Sequence, residues 1–369
     1  MLGSNSSAHL RAELLETDRA MDFIDLNPDQ RREAINTQQR FQAWRELAAR
    51  HWLNRGSMVW STTRGHSYLM RAAYNKRGTR VQFSLGPRSP ETERIKAEFE
   101  RSSTAVAGRL EQLKPVMARQ AGINRVLGLG RVPLIGARII RALDAAGLLG
   151  AGLRVLGTNA VYAFEAAAGV QFDSGLMATE DIDLLLDSRA KMSFIATDEI
   201  EEASLLRILK RVDKSFERSS QIFRAVNKTG YLVDLLKPLR SPPWTLEATA
   251  LGANPDDLAA VEIAGLAWHE SAPVFEATAI DERGEPLRIV TSDPRIFVAH
   301  KYWVSQRLDR EPMKRQRDRA QAEAVAALIA THMPQLAFES EELRMLPKEL
   351  VEEVRPLFVA ANTEFTSTK

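Results

Sequence analysis

Asp181 and Asp183 stand one residue apart in the run Asp181-Ile182-Asp183-Leu184-Leu185-Leu186, whose length and apolar members predict a strand. Side chains alternate along a strand, so both carboxylates share one face while Ile182 and Leu184 point into a core. Adjacent carboxylates repel each other, and the pair is costly unless something cationic lies between them. Mg²⁺, a hard cation that prefers oxygen ligands, is the commonest solution. Asp234 is a third carboxylate, on the predicted strand Tyr231-Leu232-Val233-Asp234-Leu235-Leu236, where a lone charge among apolar neighbours needs a partner.

Upstream, the short apolar strand Leu153 to Leu156 runs into Gly157-Thr158 and then into a helix from Asn159 to Ala168. Glycine lets the backbone approach a phosphate, Thr158 offers a hydroxyl, and the helix start offers free N–H groups and a positive dipole end. A phosphate receiver followed 24 residues later by a carboxylate pair has the parts of phosphoryl-transfer machinery.

This order (a Gly-Thr turn opening a helix, Thr179-Glu180-Asp181-Ile182-Asp183, then Asp234) resembles the DNA polymerase β-like nucleotidyltransferase superfamily. Wider stretches resemble one bacterial family within it: Gly157-Thr158-Asn159-Ala160 with Tyr162, Ala178 to Asp183, His300-Lys301, Arg317-Asp318, and Phe83-Ser84-Leu85-Gly86-Pro87-Arg88. Most of the superfamily has Gly-Ser or Gly-Gly at the turn, where this chain has Thr158. The resemblance implies an α+β fold, with a mixed β-sheet flanked by helices, an N-terminal helical and β-meander domain and a C-terminal helical region. It also implies a two-metal mechanism. Asp181, Asp183 and Asp234 would be catalytic and would hold two Mg²⁺ (or Mn²⁺) ions, and Gly157, Thr158 and Asn159 would hold the outer phosphates of a nucleoside triphosphate. Lys301 and Arg307 are candidates to reach that triphosphate, with Asp318 positioning a cation. The plain alternative for these three is a helix pair with a charged outer face.

Other features carry less. Gly128-Leu129-Gly130 is not a dinucleotide fingerprint, because Pro133 stands where the third glycine would be. The six histidines show no metal-ligand spacing, and Asp173 and Asp187 read as turn or cap residues. With no cysteine, thiolate metal sites, disulfides and cysteine nucleophiles are excluded, and a cytoplasmic protein is expected. Met1 to Asp18 is polar and acidic, unlike a signal peptide, and no run approaches the roughly 20 apolar residues of a membrane span.

The net charge of +2 hides an asymmetry. Residues 55–141 carry a net +12, against −1 before them and −9 after. A basic block beside an acidic remainder points to partners of which polyanions are the obvious class, and it tilts the acceptor toward RNA without settling it. Arg64, Arg71, Lys76, Arg77, Arg80 and Arg88 interleave with Trp60, Tyr68, Tyr74 and Phe83. Cations among aromatic faces suit RNA, but strand alternation can equally place the aromatics in a core and the arginines in water.

Asn27-Pro28 predicts a helix start, and the helix runs to Leu53. Strands are expected over 58–60, 66–73 and 79–85, with a turn at Asn75 to Gly78. Helices are expected over 90–121, 131–149 and 200–212. A hairpin of 221–226 and 231–236 turns at Asn227 to Gly230. Strands 274–280 and 287–290 precede three helices, 294–306, 314–331 and 348–361. Domain edges fall near 125 and 292: an N-terminal helical domain with a basic three-stranded insert (1–125), a catalytic core (126–292) and a C-terminal helical region (293–369). A Mg²⁺-dependent nucleotidyltransferase acting on RNA, a protein or a small molecule is the leading expectation. A catalytically silent module that binds nucleic acid or a protein partner is the alternative.

Overall fold

A computed structural model of the chain describes residues 23–74, 80–187, 204–240, 249–252, 254–338 and 341–366. The expected turn at Asn75 to Gly78 and the first residues of the expected helix 200–212 lie outside them. The fold is α+β.

The N-terminal part holds β1 (Phe23–Asp25), α1 (Pro28–Leu53), the antiparallel meander β2 (Ser57–Thr63), β3 (His66–Tyr74) and β4 (Arg80–Pro87), and α2 (Pro90–Val126). Both long helices start the same way, with proline in the first turn behind a reciprocal capping box, Asn27 with Gln30 and Ser89 with Thr92. The α1/α2 seam is polar. Thr37, Gln120 and Asn124 are fully buried, Thr37 Oγ1 donates to Asn124 Oδ1 (2.9 Å), and Asn124 Nδ2 donates to the Gly284 carbonyl (2.9 Å). Each buried group is therefore satisfied, and the last bond ties α2 to the core.

The core continues with α3 (Leu134–Ala145), β5 (Leu153–Leu156), α4 (Thr158–Ala168), β6 (Val170–Phe172), α5 (Ser174–Met177), β7 (Asp181–Leu186), α6 (Leu205–Val212), β8 (Glu217–Arg218), β9 (Arg224–Val226), β10 (Leu232–Pro238) and β11 (Val261–Ile263). Beyond these come α7 (Leu266–Ser271), β12 (Val274–Ile280), β13 (Pro286–Ser292), α8 (Pro294–Gln306), α9 (Pro312–His332) and α10 (Lys348–Thr366). The main sheet has the order β5-β7-β10-β9-β8. β7 and β10 run parallel, the other neighbours are antiparallel, and β11 joins the far half of β10 in parallel.

The two faces of this sheet differ. Ile182, Leu184, Leu186, Val233 and Leu235 enter one large apolar cluster with residues of α3, α4, β12, β13, α8, α9 and α10. On the reverse face Leu156, Leu185 and Leu236 are covered by Leu266 of α7, and the carboxylates occupy the rest. The helices after residue 293 thus share the core's apolar cluster. Among the described residues no helix is long and apolar enough to cross a membrane.

Candidate active site

The site is a row of residues across four strands. Leu156 of β5 pairs with Asp183 of β7, Asp183 with Asp234 of β10, and Asp234 with Arg224 of β9. Parallel pairing of β7 with β10 brings two sequence-distant carboxylates side by side, and strand alternation adds Asp181 to the same face. Crowding shows in the electrostatics. Burial, with Asp181 and Asp234 beside it, pushes the Asp183 carboxyl up to about 7, against the opposing pull of Lys301 and Arg310.

The Gly157 turn abuts this carboxylate. Gly157 has φ +62°, and a Cβ there would overlap Asp183 Oδ2, so both its backbone and its missing side chain are required. Among the described residues no side chain caps α4; the Ala160 N–H turns back to the Gly157 carbonyl (3.1 Å), which leaves the N–H groups of Thr158 and Asn159 to a ligand or water. Asn159 Nδ2 donates to the Asp181 carbonyl (2.7 Å), which fixes the helix start against the acidic strand. Thr179 Oγ1 donates to Asp181 Oδ1. The hydroxyl of buried Thr158 accepts from Arg317 (3.2 Å) and from Gln321 Nε2 (3.1 Å), both on α9.

Cations reach the site from the α8–α9 pair. Asp318, only 1% exposed, accepts from Lys301 Nζ (2.6 Å) through one oxygen and from Arg310 Nε (2.9 Å) through the other. One buried carboxylate thereby orients two cations whose charge Asp183 feels. Arg307 is placed differently. Its guanidinium is held by Asp309 (2.9 and 2.6 Å) and stacks on the Trp303 ring at 4.9 Å. Arg317 stays exposed, donating also to the Ala178 carbonyl (3.2 Å).

Arg224 was not evident from the sequence. It holds both oxygens of Asp234 (Nε–Oδ1 2.7 Å, NH2–Oδ2 2.6 Å), a bidentate pair whose acid is buried. A hairpin turning at Asn227 to Gly230 would set Phe223 opposite Asp234. Instead Tyr231 joins the loop, its N–H bonded to Asn227 Oδ1 (2.9 Å), and the register moves by one residue to bring Arg224 there. Arg310 lay hidden among several basic residues around 307–319, and only the buried face of Asp318 singles it out. Among the described residues no three acidic or histidine side chains gather into a metal-ligand cluster, consistent with Asp234 being turned to Arg224.

The remaining sequence candidates fall into structural positions. Gly130 packs so closely on the Asp281 carbonyl that a Cβ would collide. His269 and His300 are edge-to-face at 4.7 Å, and burial pulls the His300 imidazole down to about 3, so it is neutral. Asp173 caps α5 through the Gly175 N–H (2.8 Å), and Asp187 pairs with Arg154. Arg71 is not at the surface. It is 7% exposed, lies over the Phe99 ring and donates to the Arg55 carbonyl (3.0 Å), fastening the end of α1 to the meander.

No curated protein and no solved structure matches the chain. A nucleotidyltransferase family model matches residues 135–346, which hold the Gly157 turn, all three aspartates and the α8–α9 cations. That match covers more than half of the chain, and the chain belongs to this nucleotidyltransferase family.

Proposed function

We propose that the protein is a Mg²⁺-dependent enzyme that moves an NMP group from a nucleoside triphosphate to an acceptor hydroxyl, releasing pyrophosphate, in the manner of the polymerase β-like bacterial branch. The observation that carries this is contiguity: the uncapped α4 start and Gly157 lie directly against Asp183. The donor set suits a hard divalent cation, since it is all oxygen and since burial, with Asp181 and Asp234 alongside, raises Asp183. Bound by Asp181, Asp183 and Asp234, Mg²⁺ would supply Lewis-acid stabilisation of the phosphoryl oxygens and of the attacking oxygen.

The chain's own residues do the rest. Thr158 and the backbone at Gly157 and Asn159 receive the outer phosphates, and Arg317, Lys301 and Arg310 balance their charge. Asp318 positions the last two of these. The acceptor oxygen forms a bond to the α-phosphorus as the bond from that phosphorus to the β-phosphate bridging oxygen breaks. The hydroxyl proton passes to a carboxylate oxygen of Asp234. Exposed Arg64 and Arg80, within the basic segment Arg55–Arg141, support an RNA acceptor.

The hold of Arg224 on both oxygens of Asp234 favours a second reading, a silent module that binds nucleic acid. Incubation with α-labelled NTPs, Mg²⁺ and RNA, protein or small-molecule acceptors separates the two. Label in an acceptor, lost in Asp181→Ala, supports the enzyme. Absence of transfer, with salt-sensitive RNA binding unchanged in Asp181→Ala, supports the module.

A further inference from the structure

Arg224 sits at the opposite end of the site from the Gly157 turn. Between β5 and β9 lie β7 and β10, and three strand spacings amount to about 14 Å. A triphosphate seated on the α4 start is therefore not the natural partner of Arg224, and whatever this guanidinium recognises approaches from the acceptor side. Arg224 has a planar donor fork, faces Asp234 directly across the sheet and takes both of its oxygens. Asp234 can take the acceptor's proton or help hold a cation only after at least one oxygen is released. The released donors then need an anion, because a part-buried guanidinium without one is costly. The other carboxylates are poor replacements, since Asp181 is engaged by Thr179 and Asp183 faces the Gly157 turn.

We infer that Arg224 locks the acceptor half of the site and is released by an acceptor that carries a phosphate close to its reacting hydroxyl. The inference rests on the nucleotidyltransferase reading and adds the acceptor's chemical class and an order of assembly. The donor half is ready in the resting protein, and Asp234 becomes available only as the phosphate of the acceptor takes over the fork of Arg224. A neutral polyol or a protein serine lacks the group that opens the lock.

Manganese binding followed by electron paramagnetic resonance, without nucleotide, tests this on the full chain. In Arg224→Gln both oxygens of Asp234 are freed, and Mn²⁺ affinity is expected to rise by about 10-fold, the loss of one charge-assisted competitor. Inorganic phosphate as the probe should raise the affinity of the wild type and leave Arg224→Gln unmoved. Arg224→Lys keeps the cation without the fork and should fall between. Unchanged or weaker Mn²⁺ binding in both variants, in protein of native circular dichroism, overturns the lock alone. If Asp183→Asn binds Mn²⁺ as well as the wild type, the metal reading of the site falls and the lock with it.

Discussion

The two ends of the row Leu156–Asp183–Asp234–Arg224 are held in different ways. At the donor end, each group is held by more than one neighbour. Gln321 and Arg317 of α9 grip Thr158, Asp318 aims Lys301 and Arg310, and Gly157 adopts a left-handed turn that only glycine accepts without strain. At the acceptor end a single arginine on a three-residue strand neutralises the carboxylate and has to move before that carboxylate can act. On the proposed function, the difference would prepare each half for its own ligand: the donor half preorganised for one of fixed shape, the triphosphate, and the acceptor half kept charge-balanced until its ligand arrives.

Asp183→Ala should break the donor half most completely. Transfer of label from an NTP is expected to fall by at least about 10²-fold, the scale of losing one preorganised electrostatic group, with the fold retained. Transfer at wild-type rate would remove Asp183 from the chemistry. Arg317→Ala comes next: loss of a charge-assisted phosphate contact should raise the KM for NTP by about 10-fold, with kcat little changed, as read by steady-state kinetics. A drop confined to kcat would mean that Arg317 acts on the transition state instead.

Gly157→Ala sharpens the comparison through stability. The methyl group meets Asp183 Oδ2 and the backbone holds φ at +62°, so about 1–3 kcal/mol of stability should be lost, measurable by denaturant unfolding. Arg224→Ala frees a buried carboxylate yet lies outside the turn, so it should leave nucleotide affinity as it is.

The smallest effect concerns pH. Asp183 is raised from its ordinary 3.8 to about 7 by burial and neighbouring carboxylates, so the folded chain holds a proton that the unfolded chain gives up. The folded state binds more protons between those values, and stability falls as pH climbs from about 4 through 7. In chelator-treated protein Tm should decline over that window. Mg²⁺ should flatten the decline, and Asp183→Asn should remove this group's part of it. A Tm profile identical in wild type and Asp183→Asn would contradict the raised carboxyl of Asp183, set by burial and by the carboxylates beside it.

Much of the donor end was legible in the sequence, because its signals are local. A strand, a Gly-Thr turn and a helix follow one another without interruption, and the Asp-x-Asp spacing sets a shared face by itself. The long helices were legible too: Asn27-Pro28 carries the chemistry of the first start, and the second helix begins at Pro90 as expected. The acceptor end depended on a hairpin register that the inclusion of Tyr231 in the loop shifts by one residue, and no periodicity reports that shift. Non-local pairings were equally silent. The strand Phe23–Asp25 pairs with Val170–Phe172, and Val261–Ile263 adds to β10, through short segments without alternation of their own. The expected helix 131–149 begins later, at Leu134, because Arg131 and Val132 donate their N–H groups to the Ile280 carbonyl (2.8 and 3.0 Å). Arg71 looked like a surface cation, yet its aliphatic stem and guanidinium serve a buried joint between α1 and the meander.

Calorimetric titration of Mg²⁺ with a non-hydrolysable NTP into the wild type, Asp183→Ala and Asp234→Ala tests the central claim most directly. A donor half that is complete in the resting protein predicts binding in the wild type, near-equal binding in Asp234→Ala and loss of binding in Asp183→Ala. Binding by Asp183→Ala at wild-type affinity would contradict it.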